Sequence, residues 1–441
     1  MPTDLRQGHI GAHAPNGANS YNIHLSLIAT CLPTDSLQSA GHRWKKDMNM
    51  QRNDYVDAVL PDVISWQRRL HRTPELGFAE EKTADFVAHK LAEFGLEVHR
   101  DVSETAVVGV LTSGTSSRTA MFRAELDALP VQEATGLAHS SEVEGVMHAC
   151  GHDAHTAMLL GAAKLLSETP NFDGTLYFVF QPAEEVHGGG KKMVADGLLA
   201  RFPAEQVFSQ HNWPGVKEEA VIVTEGPIMA GVDDFTLTFM GKGAHAAMPE
   251  LGDDPVLAAA EFISSAQRIV SRTVDPKSAL VLSFTQVHGG RINNIVPGQM
   301  EVQGTARFFD PDFSDHVEAR IAQIAGGIAQ AHGLDYALDY RKGYPAVVNS
   351  ANGAATAKAA ADSFLPAERV VTDEAASLGC EDFSYLLNAV GDGAYIWLGA
   401  GDVGPREGLH GDKFVFNDKL FPIGLRMWVS LAETALPQGA S

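Results

Sequence analysis

Histidine, glutamate and cysteine side chains, the types that bind transition metals, are concentrated in four short segments of this sequence. The segments are His148–His155, Pro182–Glu185, His211–Pro214 and Leu409–Gly411. A mixture of imidazole, carboxylate and one thiolate suits zinc, manganese or cobalt, whereas calcium and magnesium prefer oxygen ligands alone. Each segment alone is a weak indication, but a Cys-x-His motif followed by a Glu-Glu pair has no evident structural purpose. The sequence therefore predicts a transition-metal site.

The adjacent carboxylates of Glu184 and Glu185 follow an apolar run that contains Phe178, Phe180 and Pro182. Two neighbouring carboxylates at the end of a buried strand repel each other unless a cation or a proton stabilises them. One carboxylate can bind a metal while the other accepts a proton from water that the metal has acidified. Metal-dependent hydrolases use this combination. A solvated charged loop is the alternative interpretation, and adjacency alone does not say which carboxylate faces the metal.

The elements that must position these segments alternate between strands and helices. Strand patterns at residues 106–111, 119–123, 175–180 and 206–210 alternate with helical patterns at 80–94, 153–167 and 191–199. This alternation predicts a layered α/β domain with a central mixed sheet. Because the carboxyl ends of strands in an open α/β sheet form a crevice, ligands on separate loops can converge there.

A different pattern begins at residue 235, which suggests a second domain inserted into the first. Strands at 235–240, 279–287, 300–308 and 336–340 and helices at 255–273 and 315–332 give the order β-α-β-β-α-β, which is the ferredoxin-like arrangement. The α/β pattern resumes after Gly343, with helices at 354–361 and after Glu381 and strands near 370 and at 394–398. We expect a catalytic domain in two parts, residues 53–230 and 343–441, interrupted by an inserted domain at 231–342.

The first 52 residues are rich in Asn, His, Ser, Gly and Pro. They predict a disordered tail, or a wrongly assigned start if translation begins at Met48 or Met50. A secretory signal is the rival interpretation of the short apolar run at 23–32, but Asp4 interrupts the basic start and no convincing small-residue cleavage site follows.

Composition excludes several classes of partner. The 33 basic and 55 acidic side chains give a formal net charge of −22, which disfavours nucleic acids and anionic membranes as partners. No stretch approaches the roughly 18 apolar residues of a membrane-spanning helix. The three cysteines, Cys31, Cys150 and Cys380, are too few and too far apart for a disulfide framework, so we expect a reducing, cytoplasmic location.

Six motifs occur in the order typical of the dinuclear metallo-amidohydrolases. They are His71-Arg-Thr-Pro-Glu75-Leu-Gly-Phe, Arg123-Ala-Glu125-Leu-Asp127-Ala-Leu-Pro, His148-Ala-Cys150-Gly-His152-Asp153-Ala-His155, Gln181-Pro-Ala-Glu184-Glu185, Gly241-Lys-Gly-Ala-His245-Ala-Ala-Met-Pro249 and Asn294-Ile-Val-Pro297. Over residues 54–435 the chain most resembles the branch that contains hippurate hydrolases, N-acyl-amino-acid amidohydrolases and plant auxin-conjugate hydrolases.

The resemblance implies two divalent ions per subunit, zinc, manganese or cobalt, and a general base at Glu184. The implied ligands are Cys150, His152, Glu185, His211 and His410, with Cys150 as a candidate bridge between the ions. Other branches of the superfamily have His-x-Asp where this chain has Glu125-Leu-Asp127. The departure removes one histidine ligand and leaves Asp127 to orient a ligand rather than to bind metal. We interpret His155 as a residue at the start of a helix, with metal ligation as the alternative.

The resemblance also assigns a role to the inserted domain, as a lid that forms a homodimer. His245 would donate to the oxyanion of the reaction and would reach the active site of the partner subunit. Asn294 and Arg307 match positions near the free carboxylate of the substrate, which suits the two-pronged guanidinium of Arg307. A surface role is the alternative for Arg307.

The implied activity is metal-dependent hydrolysis of the amide bond of N-acyl amino acids, a class of small-molecule substrate. A di- or tripeptidase or a carboxypeptidase with the same site is the alternative. A non-catalytic binding protein of this fold is disfavoured because Glu184 and all five ligand positions are present. A serine hydrolase is disfavoured because the chain has no Gly-x-Ser-x-Gly motif.

Overall fold

The computed structural model describes residues 55–439. Its helices are α1 (55–72), α2 (Glu81–Glu93), α3 (His152–Glu168), α4 (Gly189–Ala195), α5 (Leu198–Arg201), α6 (Pro255–Thr273), α7 (Asp312–His332), α8 (Ala351–Asp362), α9 (Phe383–Val390) and α10 (Leu420–Ala435). Its strands are β1 (Glu97–His99), β2 (Val107–Ser113), β3 (Thr119–Glu125), β4 (Gly174–Gln181), β5 (Gln206–Pro214), β6 (Val221–Ile222), β7 (Gly226–Met229), β8 (Gly231–Met240), β9 (Ala244–His245), β10 (Leu280–Gly289), β11 (Ile295–Val296), β12 (Gln299–Phe308), β13 (Asp335–Lys342), β14 (Val347–Asn349), β15 (Val370–Val371) and β16 (Gly393–Gly401).

The larger sheet has eight strands in the order β1-β2-β4-β3-β5-β16-β6-β15. Its four central neighbours, β4, β3, β5 and β16, are parallel, while β1, β2 and β6 add antiparallel pairings. The mixed α/β sheet predicted from the sequence is therefore confirmed. Because the four central strands point the same way, their carboxyl ends meet at one edge.

Each face of the larger sheet is covered by helices. Successive residues of β3 illustrate the alternation, since Phe122 belongs to an apolar cluster with α1, α3 and α10, whereas Met121 belongs to a second cluster with α4 and α9. Residues of both clusters are largely inaccessible to water. Strands buried on both faces need apolar side chains throughout, as in the continuous run of β4.

The smaller sheet is antiparallel, with the order β10-β12-β8-β13. The chain visits it as β8, α6, β10, β12, α7 and β13, with the short β9–β11 ladder as an addition. Helix α6 begins at Pro255, and the side chain of Asp254 caps it by accepting from the N–H groups of Val256 and Leu257. A separate apolar cluster fills the space between this sheet and its two helices.

Two crossing segments, at residues 231–233 and 343–346, connect the two sheets. They lie side by side, because the N–H of Val232 donates to the carbonyl oxygen of Tyr344 and the N–H of Gly343 donates to that of Val232, each over 2.9 Å. A Cβ at Gly343 would lie 2.5 Å from the Val232 carbonyl oxygen, so this close approach requires glycine.

Several sequence predictions differ from the structure. The single helix predicted at 191–199 is divided in the structure, because Gly197 adopts a φ of 94° and separates α4 from α5. The strand predicted at 206–210 continues as β5 to Pro214, which places His211 inside the strand. His245 lies in the short strand β9. Helix α10 was not predicted; it packs against both α3 and α8, and its partly exposed residues recur at helical spacing, at Pro422, Arg426, Val429 and Glu433.

The prediction for residues 1–52 lies outside the described residues. Within residues 55–439, no helix is both long and apolar enough to cross a membrane.

Candidate metal centre and active site

The predicted metal-ligand types converge at the carboxyl edge of the larger sheet. The turn after β4 carries Glu184 and Glu185, β5 carries His211, and α3 begins at His152. Gly151 precedes α3 with a φ of 96°, and a Cβ there would lie 2.3 Å from Oδ1 of Asn212. Only glycine therefore allows the chain to turn sharply between two candidate ligands.

Among the described residues, five groups of three side chains could each hold a cation, and two of these groups share Cys150. Cys150, His152 and His211 form the first group, and Cys150, Glu185 and His410 form the second. Within each group the ligand atoms lie within 4.8 Å of one another, and Sγ of Cys150 is 3.4 Å from Nε2 of His211. The structure thus brings together all five residues that the resemblance implied, with Cys150 common to both groups.

Hydrogen bonds orient two of the imidazoles. Nδ1 of His152 lies 2.9 Å from the carbonyl oxygen of Asp127, and Nδ1 of His211 lies 2.7 Å from that of Asn212. A carbonyl oxygen can only accept, so each Nδ1 carries a proton, and in the neutral imidazole that binds a metal Nε2 offers a lone pair. Bonds of this kind commonly orient histidines that bind metal.

The donor set fits divalent metal ions. Nε2 of His152 and Oε1 of Glu185 are buried without a hydrogen-bond partner, although Nε2 of His410 lies 3.2 Å from Oε1 of Glu185. Buried polar atoms are rarely left unpaired without a functional reason. Burial by itself lowers the pKa of His152, but its hydrogen bond with Asp127 and the nearby carboxylates, including Glu125, raise it to about 10. The same negative surroundings would favour a metal cation.

The remaining ligands differ in their surroundings. Cys150 is buried, and burial together with the charges of Glu185 and Glu184 raises the pKa of its thiol. A neighbouring metal ion reverses that preference and favours the thiolate. His410 is exposed on the loop before α10, has a φ of 64°, and is held through its N–H, which donates to the carbonyl oxygen of Ala149.

Asp127 supports two of these groups without joining either. Its Oδ1 lies 3.3 Å from Nδ1 of His152, and its Oδ2 accepts from the N–H of Glu185 over 3.0 Å. A single buried carboxylate therefore aligns one ligand from α3 and one from the turn after β4.

The carboxylate of Glu184 lies beside the ligands. It is 7% exposed, and burial, followed by the charges of Glu381 and Glu185, raises its pKa well above the usual range. Its Oε1 lies 3.4 Å from the N–H of Asp382. A carboxyl group whose pKa is raised by burial and lowered by a nearby cation can exchange a proton near neutral pH.

The turn that carries this pair is held on several sides. Ala183 has a φ of 53°, its N–H donates to Oε1 of buried Glu80, and its carbonyl oxygen accepts from Gly189. A left-handed backbone at a residue other than glycine is strained and persists only where its surroundings enforce it.

Glu184 and four of the candidate ligands, Cys150, Glu185, His211 and His410, line a cavity of about 310 Å³. Arg307, near the end of β12, also lines this cavity, as do Trp213, Tyr344 and Cys380. Burial raises the pKa of the Cys380 thiol, and the nearby guanidinium of Arg307 opposes this shift without reversing it. The smaller sheet thus contributes a cation to the cavity.

The structure places two predicted residues elsewhere. His245 and Asn294 are exposed and do not line the cavity. They lie together at the β9–β11 ladder, where the N–H of Ala246 donates to the carbonyl oxygen of Asn294.

Sequence reasoning missed a buried ionic network beneath the cavity. The guanidinium of Arg123 contacts Glu125, and its Nη2 lies 2.9 Å from Glu381 and 2.8 Å from Asp382. Glu125 in turn lies 2.9 Å from Nδ1 of His155, whose Nε2 is 2.7 Å from Oδ1 of Asn212. The alternation of charge and apolar residues in Arg123-Ala-Glu125 within a buried strand was an available signal, because such charges need partners.

This arrangement of a mixed α/β sheet with clustered imidazole, thiolate and carboxylate groups defines a metal-binding hydrolase. The chain belongs to peptidase family M20/M25/M40, whose sequence model matches residues 121–434. This finding confirms the resemblance seen in the motifs.

Two relatives and one solved structure place the chain within the family. It is 36% identical to the hippurate hydrolase of Campylobacter jejuni over 382 residues, which cover 85% of this chain and 98% of the relative. It is 42% identical to the N-acyl-L-amino acid amidohydrolase of Geobacillus stearothermophilus over 301 residues, which cover 68% and 80%. A dinuclear metal-binding M20 peptidase from Bacillus subtilis superposes with a TM-score of 0.75 and 31% identity, covering 86% of this chain and 99% of that one.

Proposed function

We propose that this protein hydrolyses the amide bond of N-acyl amino acids with the help of two divalent metal ions. The observation that carries the proposal is that two ligand groups share Cys150, which lines one cavity together with Glu184. The hippurate and N-acyl-L-amino acid substrates named for two relatives support the substrate class.

Cys150, His152 and His211 would hold one ion, and Cys150, Glu185 and His410 the other. The mixed nitrogen, sulfur and oxygen donors support zinc, manganese or cobalt. When bound, such ions polarise a carbonyl and lower the pKa of water.

The protein's own groups would supply the remaining chemistry. Glu184 accepts the proton of the attacking water and then delivers it to the departing amine, since its carboxylate lies in the same cavity as the ligands. Arg307 binds the free carboxylate of the substrate through its guanidinium, which already faces this cavity. Asp127 holds the His152 ring and the Glu185 backbone in position.

The inserted segment 231–342 is proposed to be a ferredoxin-like lid and dimerisation domain, between catalytic parts at 53–230 and 343–441. Its own apolar cluster and its β-α-β-β-α-β order support these boundaries. His245 and Asn294 are exposed and do not line the cavity of their own subunit, which supports a role for both in the active site of a partner subunit. The few, distant cysteines continue to support a cytoplasmic location.

Mixing two inactive variants tests the role of His245. His245→Ala and Glu184→Gln are co-expressed with different tags, and the mixed dimer is purified with both tags. If His245 acts in the partner's site, one of the two sites in each mixed dimer is intact, so activity returns to about half of the wild-type value. Mixed dimers as inactive as their parents, or a wholly monomeric protein, would contradict the proposal.

A substrate panel tests the activity itself. Metal-loaded protein is compared on benzoyl-, acetyl-, long-chain-acyl and indole-acyl amino acids and on di- and tripeptides, by kcat/KM. We expect the best N-acyl amino acid to exceed the best peptide. The reverse order would favour the peptidase alternative. Substrates whose free carboxylate is converted to an amide test the role of that carboxylate. The protein should lose activity on them, and the size of this loss should depend on Arg307.

A further inference from the structure

The turn that carries Glu184 is also bonded to the segment that connects the two sheets. The hydroxyl of Tyr344 donates to the carbonyl oxygen of Glu184 over 2.9 Å. Tyr344 lies two residues after the end of β13, in the second crossing segment. It is therefore placed to link the inserted sheet with the turn after β4.

The backbone of Tyr344 is fixed by the other crossing segment. Its carbonyl oxygen accepts from the N–H of Val232, and the preceding N–H, that of Gly343, lies 3.1 Å from Oδ1 of Asp233. Asp233 is 2% exposed and also accepts from the hydroxyl of Tyr340 over 2.9 Å. Both crossing segments thus determine where the Tyr344 hydroxyl lies.

The other hydrogen bonds that hold the turn after β4 come from residues that lie around the larger sheet. Glu80 holds the N–H of Ala183, and Asp127 holds the N–H of Glu185. Within residues 55–439, the hydrogen bond from Tyr344 is the one that joins the Glu184 peptide to a crossing segment. The ring packs beside Gly188, where a Cβ would lie 3.3 Å from its Cε1.

We propose that Tyr344 is a positioning residue for Glu184, through which the crossing segments of the inserted sheet set the orientation of this carboxylate. The inference rests on the proposed role of Glu184 as the general base. Proton transfer needs a base within hydrogen-bonding reach of its partner, and a shift of about 1 Å can lower a rate by roughly 100-fold. Rotation of the Glu184 peptide would move its side chain in this way.

Tyr344→Phe removes the hydroxyl and keeps the ring. We expect kcat to fall by roughly 10- to 100-fold with KM, metal content and melting temperature nearly unchanged. Tyr385→Phe is the matched control, because its hydroxyl donates to the carbonyl oxygen of Gly343 over 2.9 Å in the same segment but does not reach Glu184. The control should keep the wild-type kcat.

The double variant Tyr344→Phe/Glu184→Gln separates positioning from direct action on the substrate. If Tyr344 acts through Glu184, the added change leaves the residual rate of Glu184→Gln unaltered. A further loss equal to that of Tyr344→Phe alone would overturn the inference, as would an equal loss in Tyr385→Phe, a lower melting temperature or an unchanged kcat. Full activity of Glu184→Gln would instead refute the proposed base, which is a distinguishable failure.

Discussion

Replacing Glu184 with Gln is expected to lower kcat by roughly 100- to 10,000-fold, the range typical of lost general acid–base catalysis. Glutamine keeps the size of the side chain but cannot accept a proton from water and return it to the amine. Metal content should stay at the wild-type value, because Glu184 belongs to neither of the two groups that share Cys150. Metal analysis and steady-state kinetics on the same preparation check both statements.

Glu185→Gln is the matched variant at the neighbouring position. Glu185 shares a ligand group with Cys150 and His410, so its replacement should lower metal content together with activity. Reversed phenotypes would show that the base and the ligand had been exchanged. Normal hydrolysis by both variants would refute the dinuclear assignment as a whole.

Cys150→Ala should lower the content of both metal ions and abolish activity, because Cys150 is common to the two ligand groups. His211→Ala and His410→Ala each remove a ligand from one group, so each should weaken the binding of one ion more than the other. Metal content by mass spectrometry and titration with a chromogenic chelator distinguish these outcomes.

The controls for this prediction are Cys31→Ala and Cys380→Ala, which should keep both ions. A strong chelator should also abolish wild-type activity, and manganese, zinc or cobalt should restore it. Equal metal loss at all three cysteines would mean that Cys150 acts through protein stability. Full activity in metal-free protein would contradict metal dependence.

Short-range patterns predicted most of the elements that surround the site. The helix at Pro255–Thr273 was predicted with its observed bounds, because a capping aspartate, a proline and a clear apolar stripe mark its limits. Helix α10 was missed although its partly exposed residues recur at helical spacing, and the break at Gly197 depends on one backbone angle.

The candidate site shows the same division between local and long-range information. Cys-x-His and Glu-Glu are local motifs that point to metal ligands from the sequence. Two of the carboxylates that contact Arg123, those of Glu381 and Asp382, lie more than 250 residues later in the chain. The bond between Tyr344 and Glu184 spans 160 residues. Contacts of this kind depend on the topology of the sheets, so no recognisable spacing of residues in the sequence predicts them.

The position of β16 has a consequence for how the chain is made. This strand lies between β5 and β6, yet residues 393–401 are synthesised after the whole inserted segment. Since chains emerge from the ribosome amino-terminus first, the strands of the smaller sheet can pair while the larger sheet still has a gap in its middle. Arg123 is likewise synthesised long before Glu381 and Asp382, two of the carboxylates that it contacts. A nascent chain that stalls before residue 381 therefore leaves Arg123 without two of its carboxylate partners and exposes two open strand edges, and open edges are features that chaperones and proteases recognise.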